Sequence, residues 1–337
     1  MRKITSIILT LVVALLGMLP QVAYAAEEGT SAGSFTITNQ APSVSVVEIY
    51  TDSGLTGTTS SLTPQVMYFC KVTVSDANTL DDISQIKLKI FYDSTPSDPL
   101  ESTITVGANN GAAIITWTKA GSVWAIDAGA ATSWTVETGS CVTPTMTASS
   151  GDWVIALKVG KVATESPGAD NWDFHARATD AGALTSGLYN RDKNVLWYGQ
   201  ITVNTGSVSF GSVTPGTGFA DNVNEYNTIS TNWTSNGNFD EKVKSTATWT
   251  GGTYTATLDD TGGVATANKF ALKAWSSDTF GSAVLVDATG VVIYTTPHAQ
   301  TTESGDTNTA NTLWLKLASI FQIDTYSGTI TYIIANN

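Results

Sequence analysis

The chain has 337 residues, 13% of them charged, and 16 Lys and Arg against 29 Asp and Glu give a formal net charge of −13. Such a surface repels nucleic acid and anionic lipid, which are bound through clustered Lys and Arg. Ten Trp, 11 Tyr and 10 Phe supply apolar material for about two cores and argue against a disordered chain.

Residues 1–25 read as a secretory signal, with Arg2 and Lys3, an apolar run over 7–19, and Ala23-Tyr24-Ala25 as a small-residue cleavage site. The run is short for a bilayer, and no second one follows. The expectation is a protein that is secreted or held at the cell surface, without membrane insertion.

Residues 26–41 form an N-terminal segment whose first part, AEEGTSAG, is small, polar and flexible. Within it SFTITN alternates, with Phe35 and Ile37 on one side and Thr36 and Thr38 on the other, before Gln40-Ala41-Pro42 breaks the pattern. Two readings stand. The strand is the first edge of its own domain, or Phe35, Thr36, Ile37 and Thr38 are a donor strand that completes the sheet of a neighbouring subunit.

A strand over 44–50 leads to the clearest pattern in the chain, residues 65–92. Val66, Tyr68, Cys70, Val72 and Val74 share one parity in its first arm, and Ile86, Leu88, Ile90 and Tyr92 share one in its second. Period-2 alternation marks strands buried on one face, here either paired or facing each other across a core. Further strands are expected at 103–106, 113–118, 153–159, 171–179 and 194–204. Turn chemistry such as Asn109-Asn110-Gly111 and Pro167-Gly168 separates them. In 171–179, His175 falls on the polar parity between Asp173 and Arg177, as in a cross-strand charge ladder.

The stretches VSDANTLDDISQIKLKIFY, SGDWVIALKV and NWDFHARATDAGA resemble the Ig-like modules of bacterial and archaeal surface proteins, over residues 42–185. The chain departs from antibody-type domains: no Trp follows shortly after Cys70, and Gly139 rather than Tyr stands two before Cys141. The resemblance implies a β-sandwich.

From Thr205 a Gly-, Thr- and Ser-rich stretch opens a second region, with strands at 227–234, 244–250, 253–258, 269–275, 291–295 and 311–317 and an alternating C-terminus. FGSVTPGTGF and YSGTITYII are similar to the opening and closing strands of TasA-like and archaeal bundling-pilus fibre subunits. The fold expected is all-β: two tandem antiparallel sandwiches, Ig-like or jelly-roll-like, at 42–204 and 205–337.

The chemistry offered is thin. Two histidines, His175 and His298, occur without a nucleophile-elbow motif, and Cys and His are not clustered for a metal. No enzyme activity and no organic cofactor are expected. Cys70 and Cys141 form either a disulfide, which persists in an exported chain, or a pair of buried thiols. The connector DANTLDDI puts Asp76, Asn78, Asp81 and Asp82 in one place, which reads as an oxygen-ligand calcium site or as plain turn chemistry. Asp259-Asp260 and Asp170, Asp173 and Asp180 group more loosely. Trp117, Trp124, Trp134 and Trp233 do not all take inward parities and could stack on sugars.

Export, β-only organisation and a detached strand together point to a subunit of an extracellular filament, biofilm matrix or surface layer that self-associates by strand addition. The alternative is a monomeric surface adhesin or carbohydrate-binding module with a polysaccharide partner.

Overall fold

The computed structural model describes residues 32–93, 111–166, 168 and 171–337. The signal-like stretch and the strand expected at 103–106 lie outside the described residues. Contacts divide the chain into two units, Met1–Thr38 and Asn39–Asn337. In the first, residues 32–38 carry no strand. The second is built from β-strands, and no helix among the described residues is long and apolar enough to cross a membrane.

Strands are numbered in chain order. A four-stranded sheet has the order β1 (Ser43–Tyr50), β3 (Met67–Ser75), β8 (Ser150–Lys158), β7 (Thr135–Val136). A six-stranded sheet runs β2 (Ser61–Leu62), β10 (Thr185–Val195), β9 (Trp172–Asp180), β4 (Ile83–Tyr92), β5 (Ala112–Thr118), β6 (Val123–Ile126). The two arms of the 65–92 pattern therefore stand in opposite sheets and face each other across the core. Strict alternation on β3 buries Tyr68, Cys70, Val72 and Val74, and on β4 Ile86, Leu88 and Ile90 meet them. Trp117 of β5 packs edge-to-face on Trp153 of β8, ring centroids 5.6 Å apart, bridging the sheets. Such a pair adds about 0.5–1.5 kcal/mol to the burial of its rings.

His175 departs from the expected polar face. It is buried on β9, its ring 4.2 Å from that of Tyr189. A central strand such as β9, flanked by β4 and β10, can bury both faces, so parity alone does not place its polar side in water.

The stretch 194–204 is also not one strand. It breaks at Leu196–Tyr198: Val195 ends β10 in the first core, while β11 (Gly199–Val203) pairs with β12 (Glu225–Ser235). A seven-stranded sheet then runs β11, β12, β19 (Asp306–Leu317), β16 (Lys269–Trp275), β15 (Thr255–Leu258), β14 (Thr248–Thr250), with β17 (Val284–Leu285) also on β16. Opposite it stand three strands, β18 (Val291–Val292), β13 (Phe239–Ser245) and β20 (Ile330–Asn336). The second core includes Ile229, Val243, Phe270, Leu272, Leu313 and Tyr332.

The two cores are joined through Asn236, which is fully buried. Its Nδ2 donates to the carbonyls of Ala163 and Leu196, both at 2.9 Å, and its Oδ1 accepts from Tyr198 N at 2.6 Å. Gln300 Nε2 donates to Val162 O at 2.9 Å and Ser133 Oγ to Glu303 Oε2 at 2.8 Å across the same junction.

Candidate functional site

The β3–β4 connection is fixed before any ligand is considered. Leu80 is buried under it, its N–H bonds Ala148 O at 2.8 Å, and Asp76 N bonds Ser149 O at 2.9 Å. Asp76 leaves the four-stranded sheet, Asp82 enters the six-stranded one, and Asp180 closes β9 beside it. One carboxylate oxygen from each of these three lies within 4.8 Å of the others. Asp76 is 3% exposed and Asp180 1%. Two full charges at that separation repel by roughly 3 kcal/mol at an effective dielectric of about 20. Burial, and then the charges of Asp180 and Asp76, push the Asp82 carboxyl above its ordinary value, with Lys119 a minor opposing influence.

The hydrogen bonds are unevenly shared. Asp180 Oδ1 accepts from Leu184 N at 2.8 Å and Oδ2 from Asn39 Nδ2 at 3.0 Å. Gly182 makes the second contact possible, because a Cβ there would stand 2.2 Å from that Asn39 nitrogen. Asp76 Oδ1 accepts from Asn78 N at 2.7 Å, while its buried Oδ2 has no hydrogen-bond partner among the described residues.

Of the four sequence-predicted ligands, then, Asp76 and Asp82 converge and the other two do not. Asn78 Oδ1 is taken by Gln40 N at 2.8 Å, and Asp81 turns to a surface ion pair with Lys119 Nζ at 2.9 Å. Asp180, nearly a hundred residues further on, replaces them. The pairing of Ile83 with Asp180 across β4 and β9 brings it there.

Cys70 and Cys141 are not bonded. Cys70 faces the core from β3 opposite Ile155 of β8. Cys141 lies on the far side of β8, beside the Val142–Val154 bridge, with its Sγ 3.3 Å from Ala156 N. Two strand spacings of about 4.8 Å separate them by roughly 10 Å, beyond the ~7 Å Cα separation that a disulfide spans. Burial pushes both thiols above their ordinary value.

The four tryptophans proposed for sugar stacking, Trp117, Trp124, Trp134 and Trp233, are all buried. His298 is packed by Tyr294, Phe239 and Trp233, with its Nε2 3.8 Å from Oε2 of the fully buried Glu241. Glu241 Oε1 accepts from Thr231 Oγ1 at 2.9 Å and Asn311 Nδ2 at 3.2 Å, both buried with it.

Phe35, Thr36, Ile37 and Thr38 form no strand within their own chain, and Phe35 is 88% and Ile37 71% exposed. In the second sandwich, the three-stranded sheet falls short of the seven-stranded one. The uncovered end of the larger sheet is roofed by coil around 208–215 and 321–326, enclosing a cleft of about 470 Å³. Phe210, Val213, Trp249, Phe270, Leu317 and Tyr326 line it, and Ile323 stands 98% exposed on its rim. Compared with models of known protein families and with curated sequences, the chain matches none.

Proposed function

We propose that the protein is a structural subunit of an extracellular assembly, joined head to tail by insertion of the 34–38 segment of one copy into the cleft of the second sandwich of the next. The observation that carries this reading is the pairing of an exposed, alternating Phe35 and Ile37 with a cleft that presents Phe210, Val213, Phe270 and Leu317 among its mixed lining and whose cover is coil rather than strand. Burying those two side chains gains about 3–6 kcal/mol of hydrophobic free energy before the cost of ordering the segment. Main-chain hydrogen bonds add to this and set the register. A contact between two different surfaces repeats from copy to copy and yields an open fibre wherever the rotation between copies does not close a ring.

The test is negative-stain microscopy of the chain beside Phe35→Asp/Ile37→Asp. Filaments from the first and single particles from the second support the reading. Equal filaments from both, or none from either, contradict strand insertion. The adhesin alternative loses its aromatic platform with the burial of the four tryptophans.

A further inference from the structure

We infer that Asp76, Asp82 and Asp180 form a calcium site that ties the two sheets of the first sandwich together at one end. The three carboxylates come from both sheets, and their oxygens lie within 4.8 Å of one another. With calcium–oxygen distances of about 2.3–2.6 Å, oxygens up to roughly 5 Å apart share one ion. The second observation is independent of the clustering. Asp76, one of the three, is only 3% exposed, and its buried Oδ2 lacks a hydrogen-bond partner among the described residues. Buried carboxylate oxygens are otherwise almost always partnered, and a cation completes this one.

The donor set selects the ion. It is all oxygen, with no Cys or His among the three, which disfavours zinc and other soft-ligand metals. Carboxylates can bind calcium through one or both oxygens in its variable six-to-eight coordination, whereas magnesium demands a near-ideal octahedron and keeps several waters. The other acidic group, Asp221, Glu225 and Asp278, is partly exposed and lacks such a buried orphan. Its Glu225 Oε2 already accepts from Trp314 Nε1 at 2.8 Å.

Occupancy has a mechanical consequence. Asn39 holds Asp180 and Gln40 holds Asn78, so the ion fixes the point at which residues 39–40 join the sandwich. The site itself stands whether or not the chain polymerises.

The test is calorimetric titration of the chelator-treated full chain with calcium, together with melting curves in calcium and in chelator. The expected result is one ion per chain, with a Kd on the order of 0.1–1 mM as in other extracellular modules, and a higher melting temperature in calcium. Asp76→Asn and Asp180→Asn should each weaken binding by more than about tenfold, while Asp278→Asn leaves it unchanged. Asp82→Asn, at a half-buried position, serves if either core variant fails to fold. In chelator it should melt no lower than the native chain, because it removes a repulsion, and it should gain little from calcium. No binding by the native chain at roughly 10 mM calcium overturns the inference. So does unchanged binding by Asp76→Asn and Asp82→Asn.

Discussion

Glu241 shows what a single buried acid does in this fold. It has no exposed surface, and it gathers Thr231 and Asn311 on one oxygen with His298 near the other. Glu241→Ala should cost about 2–4 kcal/mol in denaturant unfolding, because it opens a cavity, takes the acceptor from the buried Thr231 hydroxyl and leaves Asn311 Nδ2 with Thr231 alone. Glu241→Gln keeps an acceptor for both and should cost clearly less; equal losses would show that packing alone matters there. Asp324 works at the surface. It accepts from the backbone N–H groups of Gly252, Thr253 and Tyr254, and these bonds with that of Thr325 hold its pKa at about 2, below its ordinary 3.8. A depressed folded value means that its contribution is complete above the unfolded value and is lost as pH falls from about 4 to about 2. Carboxyl NMR titration measures this directly, and an ordinary midpoint for Asp324 contradicts these hydrogen bonds. The thiols give a plain check on the connectivity: the intact mass should be that of two free cysteines, with the buried Cys70 titrating with a thiol reagent only after unfolding.

At the scale of elements, the strands that alternate strictly were legible from the sequence and the polar site was only half so. β3 could be read because one face is buried and the other only half so, and β4 because Ile86, Leu88 and Ile90 share the core face, although Lys89 and Phe91 on its other face are buried as well. β9 could not be read to the same depth, since a strand central in its sheet buries His175 and Asp173 along with Trp172 and Phe174. The acidic connector was visible, but its partner Asp180 depends on the pairing of β4 with β9, a register no local pattern contains. The unpaired strand pattern at 34–38 and the coil roof at 208–215 are complementary cases. The first has strand chemistry and no sheet. The second places Val208, Phe210 and Val213 against the core without a ladder. Local stability follows hydrogen bonding and burial, so amides of 208–215 should exchange with solvent orders of magnitude faster than those of β16 and β19. Equal protection would mean that the roof is a fixed part of the sandwich and cannot yield to an incoming segment.

At the scale of the whole molecule, the two sandwiches are coupled by a few well-made polar contacts centred on Asn236. Asn236→Ala leaves the Ala163 and Leu196 carbonyls and the Tyr198 N–H without their partner. Calorimetry should then resolve two transitions where the native chain melts in one; a single unchanged transition would place the coupling elsewhere. The same scale decides the proposed assembly, in which insertion of one chain's 34–38 segment into the next chain's cleft would repeat from copy to copy. The direct measurement mixes Ile37→Cys chains with mass-distinguishable Ile323→Cys chains, both in a Cys141→Ser background, under mild oxidation. Segment insertion predicts a disulfide-linked heterodimer of the two variants as the dominant product. Only unlinked chains, or homodimers with no heterodimer, would contradict it.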